Sequence, residues 1–192
     1  MRRLTYPADC HPAVEGVLIS QRALARRVRE MGAEISADYA GKEVLLVGVL
    51  RGALVFLADL LRAITVPVSV DFLSAASYGA ATTSSGDVRI TRELEEPLDG
   101  RHVLVVDTVL DTGLTLQVLD AALRAQEPAS LRYCVLLMKD RPVLFTADYV
   151  GFTVPDRFVV GYGCDYGQQF RNLPYVGVLR PAVYERTLIH GT

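Results

Sequence analysis

The most informative segment of the chain reads Val103-Leu104-Val105-Val106-Asp107-Thr108-Val109-Leu110-Asp111-Thr112-Gly113-Leu114-Thr115-Leu116. Its first four residues are apolar and predict a buried strand that ends at Asp107. From Leu116 onward, leucines recur at the spacing of a helix. The first N–H groups of a helix have no partner within the helix. A strand, a glycine-containing loop and a helix in this order therefore predict an anion site, with phosphate as its natural occupant.

Carboxylates and hydroxyls around this loop narrow the choice of ligand. Asp107 and Asp111 flank the loop, and Thr112 and Thr115 add hydroxyl donors. Carboxylates accept hydrogen bonds from hydroxyl groups and bind hard cations such as Mg²⁺. A sugar phosphate meets all of these demands. The alternative interpretation is an ordinary strand-to-helix turn, in which the Asp and Thr side chains only cap the helix.

The rest of the chain repeats the alternation of strand and helix. Residues 44–50 predict a buried strand, 54–61 a helix and 68–72 the next strand, and a further strand is predicted at 131–138. This order predicts an α/β fold with a central parallel sheet and helices on both faces. Ligands of such sheets bind beyond the carboxyl ends of the strands. Four residues that follow predicted strands should therefore meet in one crevice, namely Arg51, Asp107, Asp111 and Lys139.

The two ends of the chain and one internal loop complete the predicted fold. Residues 1–15 are expected to be irregular, and Ser20 is the predicted N-cap of an amphipathic helix. The small, polar and glycine-containing residues 74–87 predict a mobile flap between two strands. Short strands are predicted at 158–160 and 176–179. We expect a single domain, 1–192, with a core of about 16–150 and a hood lobe formed by the N-terminal segment and about 151–192.

Composition limits the class of protein. Hydrophobic residues make up 51% of the 192 residues, which predicts one well-packed domain. The net charge of −2 and the absence of a long run of one sign argue against a general nucleic-acid-binding protein. Three cysteines without metal-ligand spacing predict free thiols in a reducing cytosol. No signal peptide and no membrane-spanning stretch is expected, so the predicted location is cytoplasmic.

The segment 103–116 closely resembles the 5-phosphoribosyl-1-pyrophosphate loop of the bacterial hypoxanthine–guanine phosphoribosyltransferases. In that family, two acidic residues precede two apolar residues and Asp-Thr-Gly-x-Thr. Asp107 matches the first acid, which is usually Glu. The second acid is replaced here by Thr108. The resemblance implies the type I phosphoribosyltransferase fold.

Other motifs of the same family occur in the expected order. Residues 49–53, Val-Leu-Arg-Gly-Ala, resemble the pyrophosphate loop, where the family usually holds a cis peptide at the equivalent of Leu50–Arg51. Residues 77–87 resemble the mobile catalytic loop, Met138-Lys139-Asp140 the strand end that contacts the purine 6-oxo group, and 155–166 the purine pocket and second-metal segment. The implied substrate-binding residues are Arg51, Gly52, Asp107, Thr108, Thr112, Gly113, Leu114, Thr115, Lys139, Phe158, Val159, Asp165 and Arg171.

The resemblance also implies an activity. Asp111, with Ser77 and Tyr78 of the mobile loop, would be catalytic, and Asp107 and Asp165 would bind Mg²⁺. The implied reaction is purine salvage, in which hypoxanthine or guanine reacts with phosphoribosyl pyrophosphate. The family further suggests a homo-oligomer, a dimer or tetramer, with no nucleic-acid or membrane partner.

Two alternatives are weighed against this interpretation. A regulator could use the same fold to sense phosphoribosyl pyrophosphate, but such relatives tend to lose the acid at the position of Asp111 or to add a basic domain. An aspartic protease also uses Asp-Thr-Gly, but its fold is all-β, whereas Asp111 here opens a helix in an α/β alternation.

Overall fold

The structure, a computed structural model, describes residues 10–77 and 88–184. Within these residues the strands are β1 Val14–Ile19, β2 Val44–Leu50, β3 Val68–Ser77, β4 Val88–Arg92, β5 His102–Leu110, β6 Ser130–Lys139, β7 Tyr149–Val154, β8 Val159–Val160 and β9 Val176–Leu179. The helices are α1 Gln21–Asp38, α2 Leu54–Ala63 and α3 Leu114–Arg124.

Six strands form the central sheet, in the order β4-β3-β2-β5-β6-β7. β2 is parallel to both of its neighbours, β3 and β5, and β6 is parallel to both β5 and β7. β4, at one edge, runs antiparallel to β3. The predicted α/β class with a central parallel sheet is confirmed. Because β2, β5 and β6 are adjacent and parallel, their carboxyl ends lie side by side.

Helices cover both faces of this sheet. α1 and α2 pack on one face of the sheet, and α3 packs on the other. Successive residues of a strand point to opposite sides, so β2, β5 and β6 present apolar side chains to the helices on both faces. Ser20 caps α1 by accepting a hydrogen bond from the N–H of Ala23 at 3.3 Å, as predicted. A Cβ atom at Gly32 would lie 2.5 Å from the Cβ of Ala63, so glycine allows α1 to approach the end of α2.

A second sheet joins the two ends of the described chain. β9 pairs antiparallel with both β1 and β8. Residues 1–15 were expected to be irregular, and this is wrong for 14 and 15, which open β1. The partner of Val14 is Leu179 of β9, near the other end of the chain, so local pattern does not reveal the strand. The lower expected limit of the core, 16, falls within β1, a strand of the second sheet. The upper limit, 150, falls within β7, a strand of the central sheet.

The strand predicted to end at Asp107 continues to Leu110. Asp107, Val109 and Leu110 pair with residues of β6, and this ladder keeps the backbone extended. The two strands of the predicted flap are present as the antiparallel pair β3 and β4. The mobile loop predicted at 74–87 is wrong for 74–77, because these residues pair with β4 and belong to β3. The tip of the flap, 78–87, lies outside the described residues.

The edge strand β7 is covered by a side chain of α1. Arg27 donates from Nε to the carbonyl oxygen of Gly151 at 3.2 Å and from Nη2 to that of Val150 at 3.0 Å. Its Nη1 forms an ion pair with Glu34 at 2.7 Å. These contacts attach α1 to the outer edge of the central sheet.

Candidate functional site

An open cleft of about 360 Å³ lies beyond the carboxyl ends of β2, β5 and β6. This volume is within the range of small-molecule sites. The residues that line it are Arg51, Gly52, Asp107, Thr108, Val109, Asp111, Lys139, Phe158, Val159, Cys164, Asp165 and Arg171. The prediction that Arg51, Asp107, Asp111 and Lys139 meet in one crevice is confirmed, whereas their roles stay predictions.

The loop between β5 and α3 forms one side of the cleft. Its Gly113 has a φ of +90°, and a Cβ there would lie 2.8 Å from the Cβ of Phe145, so no other residue fits without strain. The N–H of Leu114 is 3.4 Å from Oγ1 of Thr112, and α3 begins at Leu114. Four predicted phosphate-binding residues, Thr112, Gly113, Leu114 and Thr115, do not line the cleft itself, but directly follow Asp111 at the start of α3.

Asp107 and Thr108 lie in the floor of the cleft. Burial raises the pKa of the Asp107 carboxyl to about 6, although the backbone N–H of Thr108 donates to it at 2.6 Å. The Thr108 side chain is 2% exposed, and its hydroxyl has no hydrogen-bond partner among the described residues. A buried hydroxyl without a partner costs free energy, so this group is suited to bind a ligand atom or water.

Arg51 and Gly52 form the end of the cleft that follows β2. The Leu50–Arg51 peptide bond is cis, as the resemblance implied. A Cβ at Gly163 would lie only 2.3 Å from the carbonyl oxygen of Gly52. Two segments far apart in sequence therefore touch through their backbones at this point.

Asp165 and Arg171 lie on the segment that touches this loop. Their side chains form an ion pair at 2.8 Å, and Nη1 of Arg171 donates to the carbonyl oxygen of Gly163 at 2.7 Å. Nη2 of Arg171 lies 3.3 Å from Oε1 of Gln168, which also accepts from Nη1 of Arg51 at 2.8 Å. The two arginines of the cleft thus share one amide oxygen.

The carboxylates suit a magnesium ion that is completed by substrate. Asp107 and Asp165 both line the cleft. Among residues 10–77 and 88–184, no cluster of three or more His, Cys, Asp or Glu side chains could hold a metal ion alone. Mg²⁺ commonly binds through one or two carboxylates, waters and the phosphates of a substrate, so the donor set fits a substrate-borne ion.

Lys139, the last residue of β6, supplies a buried cation at the opposite side. Its side chain is 6% exposed, and its Nζ donates to the carbonyl oxygen of Arg157. Burial lowers the pKa of the Lys139 ammonium, while the carboxylates of Asp111 and Asp156 act in the opposite direction. Arg141 lies between these two carboxylates, at 3.4 Å from Asp111 and 3.3 Å from Asp156.

An aromatic face closes this side of the cleft. Phe158 is 40% exposed, which is unusual for a large apolar side chain, and its ring stacks on Tyr184 with centroids 5.5 Å apart. Val159, beside it, is buried in β8. An exposed ring at the mouth of a polar cleft is suited to stack on a planar ligand.

Sequence reasoning missed three residues of the site. Val109 and Cys164 line the cleft, and Gln168 accepts hydrogen bonds from Arg51 and Arg171. Burial raises the pKa of the Cys164 thiol to about 12, so this cysteine is not a thiolate near neutral pH. Cys164 and Gln168 lie in the stretch between the predicted Val159 and Arg171, and that proximity was the available signal. Of the predicted catalytic residues, Ser77 is the last residue of β3, and Tyr78 lies outside the described residues.

Comparison with known proteins decides the family. The sequence model of the phosphoribosyl transferase domain matches residues 18–167. The chain belongs to the phosphoribosyltransferase family. The hypoxanthine-guanine phosphoribosyltransferase of Bacillus subtilis is 45% identical over 174 residues, which are 90% of this chain and 97% of that relative. The enzyme of the same name from Mycobacterium bovis is 43% identical over 188 residues, 94% of this chain and 91% of that relative.

A solved structure gives the same result for the fold. The hypoxanthine phosphoribosyltransferase of Staphylococcus aureus superposes with a TM-score of 0.87 at 37% identity, covering 93% of this chain and 99% of that one. The predicted type I phosphoribosyltransferase fold is therefore confirmed. Within the described part of this phosphoribosyltransferase, no helix is long and apolar enough to cross a membrane.

Proposed function

We propose that this phosphoribosyltransferase transfers the 5-phosphoribosyl group from phosphoribosyl pyrophosphate to hypoxanthine or guanine, giving IMP or GMP and pyrophosphate. The observation that carries the proposal is the arrangement of the cleft. A buried donor, Lys139, and an exposed ring, Phe158, lie at one end, and two arginines at the other, with Asp107 and Asp111 between them. The names of the relatives from Bacillus subtilis and Mycobacterium bovis agree with this activity.

The end of the cleft near Lys139 would bind the purine. The Lys139 ammonium donates hydrogen bonds and accepts none, so it suits the 6-oxo group of hypoxanthine or guanine and not the 6-amino group of adenine. Phe158 would stack on the base. The backbone of Val159 would pair with the edge of the base.

The rest of the cleft, with the adjoining start of α3, would bind phosphoribosyl pyrophosphate. The backbone N–H groups at the start of α3, with Thr112 and Thr115, would hold the 5-phosphate. Asp107 and Thr108 would contact the ribose hydroxyls. The guanidinium groups of Arg51 and Arg171 and the backbone of Gly52 would contact the pyrophosphate group.

A magnesium ion would be held by Asp107 and Asp165 together with the substrate. When bound, it would supply positive charge that stabilises the departing pyrophosphate. The side chains of Arg51 and Arg171 would act in the same direction, because a fixed cation is worth most where negative charge develops.

The reaction centre would be controlled by Asp111 and the flap. As the purine N9 attacks the anomeric carbon of the ribose and pyrophosphate leaves, Asp111 would accept the proton at N7, which keeps N9 nucleophilic. Ser77, the last residue of β3, and Tyr78 would close over the reacting atoms and exclude water.

The remaining expectations concern the location, oligomeric state and partners of the enzyme. The three cysteines are free, which supports a reducing compartment, and we infer that the protein acts in the cytosol. We also infer a homo-oligomer, and no nucleic-acid partner, given the net charge of −2.

A spectrophotometric assay tests the proposal directly. The purified protein is incubated with hypoxanthine, guanine, xanthine or adenine, with and without phosphoribosyl pyrophosphate and Mg²⁺. We expect turnover of hypoxanthine or guanine that requires both additions, and essentially none of adenine. Efficient turnover of adenine would contradict the role of Lys139. The absence of transfer to any purine would contradict the activity itself.

A further inference from the structure

One amide side chain at the rim of the cleft joins the two arginines. Oε1 of Gln168 accepts hydrogen bonds from Nη1 of Arg51 at 2.8 Å and from Nη2 of Arg171 at 3.3 Å. The two guanidinium groups belong to different segments of the chain, one after β2 and the other before β9. Two cations repel each other, so they remain close only where an acceptor lies between them.

The backbone of Gln168 is fixed by its surroundings. Its N–H donates to Oδ2 of Asp165 at 2.9 Å, and its φ is +66°. Tyr166 and Gln169 on either side pair with each other through their backbones, at 3.0 and 3.3 Å. The turn therefore directs the Gln168 side chain towards the arginines.

The combined charges of Arg51, Arg171, Asp165 and Gln168 favour the binding of an anion. Asp165 pairs with Arg171 at 2.8 Å, which balances one of the two arginines. Among residues 10–77 and 88–184, no carboxylate lies within 4.0 Å of the Arg51 guanidinium. Gln168 is uncharged, so it orients Arg51 without cancelling the positive charge. The group as a whole keeps one net positive charge at the rim of the cleft.

We propose that Gln168 is a positioning residue that presents Arg51 and Arg171 together to the pyrophosphate group of the substrate. The inference rests on the proposed function, because it takes phosphoribosyl pyrophosphate as the ligand of this end of the cleft. Gln168 acts through the two arginines and touches no reacting atom. Its loss should weaken binding of the pyrophosphate end and leave the purine end unchanged.

Substitution of Gln168 by residues of similar size isolates this role. Gln168→Met keeps the length of the side chain and removes the acceptor. Gln169→Met is the matched control, because it makes the same change at the adjacent position, where the described contacts are made by the backbone. Gln168→Asn, which suits the left-handed backbone but is one methylene shorter, replaces Gln168→Met if that variant does not fold.

Two measurements separate positioning from a general loss of structure. Calorimetric titration of each variant with inorganic pyrophosphate and Mg²⁺ gives the affinity of the site without catalysis. Steady-state kinetics give the KM for each substrate. We expect Gln168→Met to raise the pyrophosphate Kd and the KM for phosphoribosyl pyrophosphate roughly three- to tenfold, the range for losing hydrogen bonds to charged groups near the surface. The KM for hypoxanthine and the melting temperature should stay close to wild type.

The outcomes distinguish the two proposals. If wild type transfers phosphoribosyl groups and binds pyrophosphate, and Gln168→Met binds it equally well, Gln168 is only a turn residue and the inference is overturned. An equal loss in Gln169→Met also overturns it, because the effect then belongs to the turn. If wild type neither binds pyrophosphate nor transfers to any purine, the proposed function fails, and the inference fails with it.

Discussion

Replacing Thr108 by aspartate adds a carboxylate at the position where the related bacterial enzymes usually carry their second acid. Thr108 lines the cleft, and its hydroxyl is buried and has no partner among the described residues. If it contacts a ribose hydroxyl, it makes one neutral hydrogen bond, worth about 0.5–1.5 kcal/mol, whereas a carboxylate bond is worth about 1.5–3 kcal/mol. The difference of about 1–2 kcal/mol corresponds to roughly 5- to 30-fold in affinity.

The neighbouring carboxylate reduces this gain. Asp107 precedes Thr108 and accepts its backbone N–H at 2.6 Å, and burial already raises the pKa of Asp107 to about 6. A second carboxylate beside it is repelled, so we expect the lower end of the range. Thr108→Asp should lower the KM for phosphoribosyl pyrophosphate about fivefold at saturating Mg²⁺.

The same change should destabilise the free protein. At 2% exposure, a carboxylate without a partner lowers the free energy of unfolding by more than the about 1–3 kcal/mol that an unpaired neutral polar group costs. For a chain of this size, that lowers the melting temperature by roughly 2–4 °C per kcal/mol. Phosphoribosyl pyrophosphate with Mg²⁺ should then raise the melting temperature of the variant more than that of wild type.

Initial-rate kinetics and thermal melting of wild type, Thr108→Asp and the uncharged control Thr108→Asn provide the test. The control has nearly the shape of aspartate and should show no gain in affinity. Preference for hypoxanthine over guanine should be the same in all three proteins. An unchanged KM in Thr108→Asp, or an equal gain in Thr108→Asn, would refute the assignment of Thr108 to the ribose.

Three further predictions follow from the site. Asp111→Asn should retain pyrophosphate binding and lower kcat roughly 10²- to 10⁴-fold, because it removes a positioned proton acceptor, and an unchanged kcat where chemistry limits the rate would contradict that role. Gly113→Ala should lower the free energy of unfolding by about 2–4 kcal/mol, because of its positive φ and its clash with Phe145. The control Gly41→Ala, also at positive φ but in open space, should cost about 1 kcal/mol. Equal losses of the two variants in urea unfolding would show that the clash is not a cause. Tyr78→Ala should lower kcat or release ribose 5-phosphate from phosphoribosyl pyrophosphate without a purine, and wild-type kinetics would contradict a catalytic role for Tyr78.

Most of the central fold follows from local sequence pattern. The strand at 44–50 and the helical leucines from Leu116 are read correctly, because a strand buried on both faces and an amphipathic helix each have a clear pattern. The local sequence pattern does not predict β1 and β7. β1 is short and depends on a partner near the other end of the chain, and β7 contains a glycine and follows a loop. Non-local pairing leaves no local signal.

In the candidate site, too, some residues could be predicted from the sequence and others could not. Residues at strand ends, such as Arg51 and Lys139, could be placed in one crevice because parallel strands bring their carboxyl ends together. The sharing of Gln168 by two arginines could not be predicted, since it depends on the backbone of a turn with a positive φ. The cleft position of Cys164 likewise depends on how the segment after β8 folds back over Gly52.

The contacts of Arg27 with β7 have a consequence for self-assembly. An edge strand offers free carbonyl oxygens to any other strand that approaches it, and this is a common route to unwanted polymers. In this protein the carbonyl oxygens of Val150 and Gly151 are already occupied by one guanidinium group. An incoming strand would have to displace a charged side chain that Glu34 also holds. Continuation of the sheet across Val150 and Gly151 of β7 from one copy to the next is therefore disfavoured.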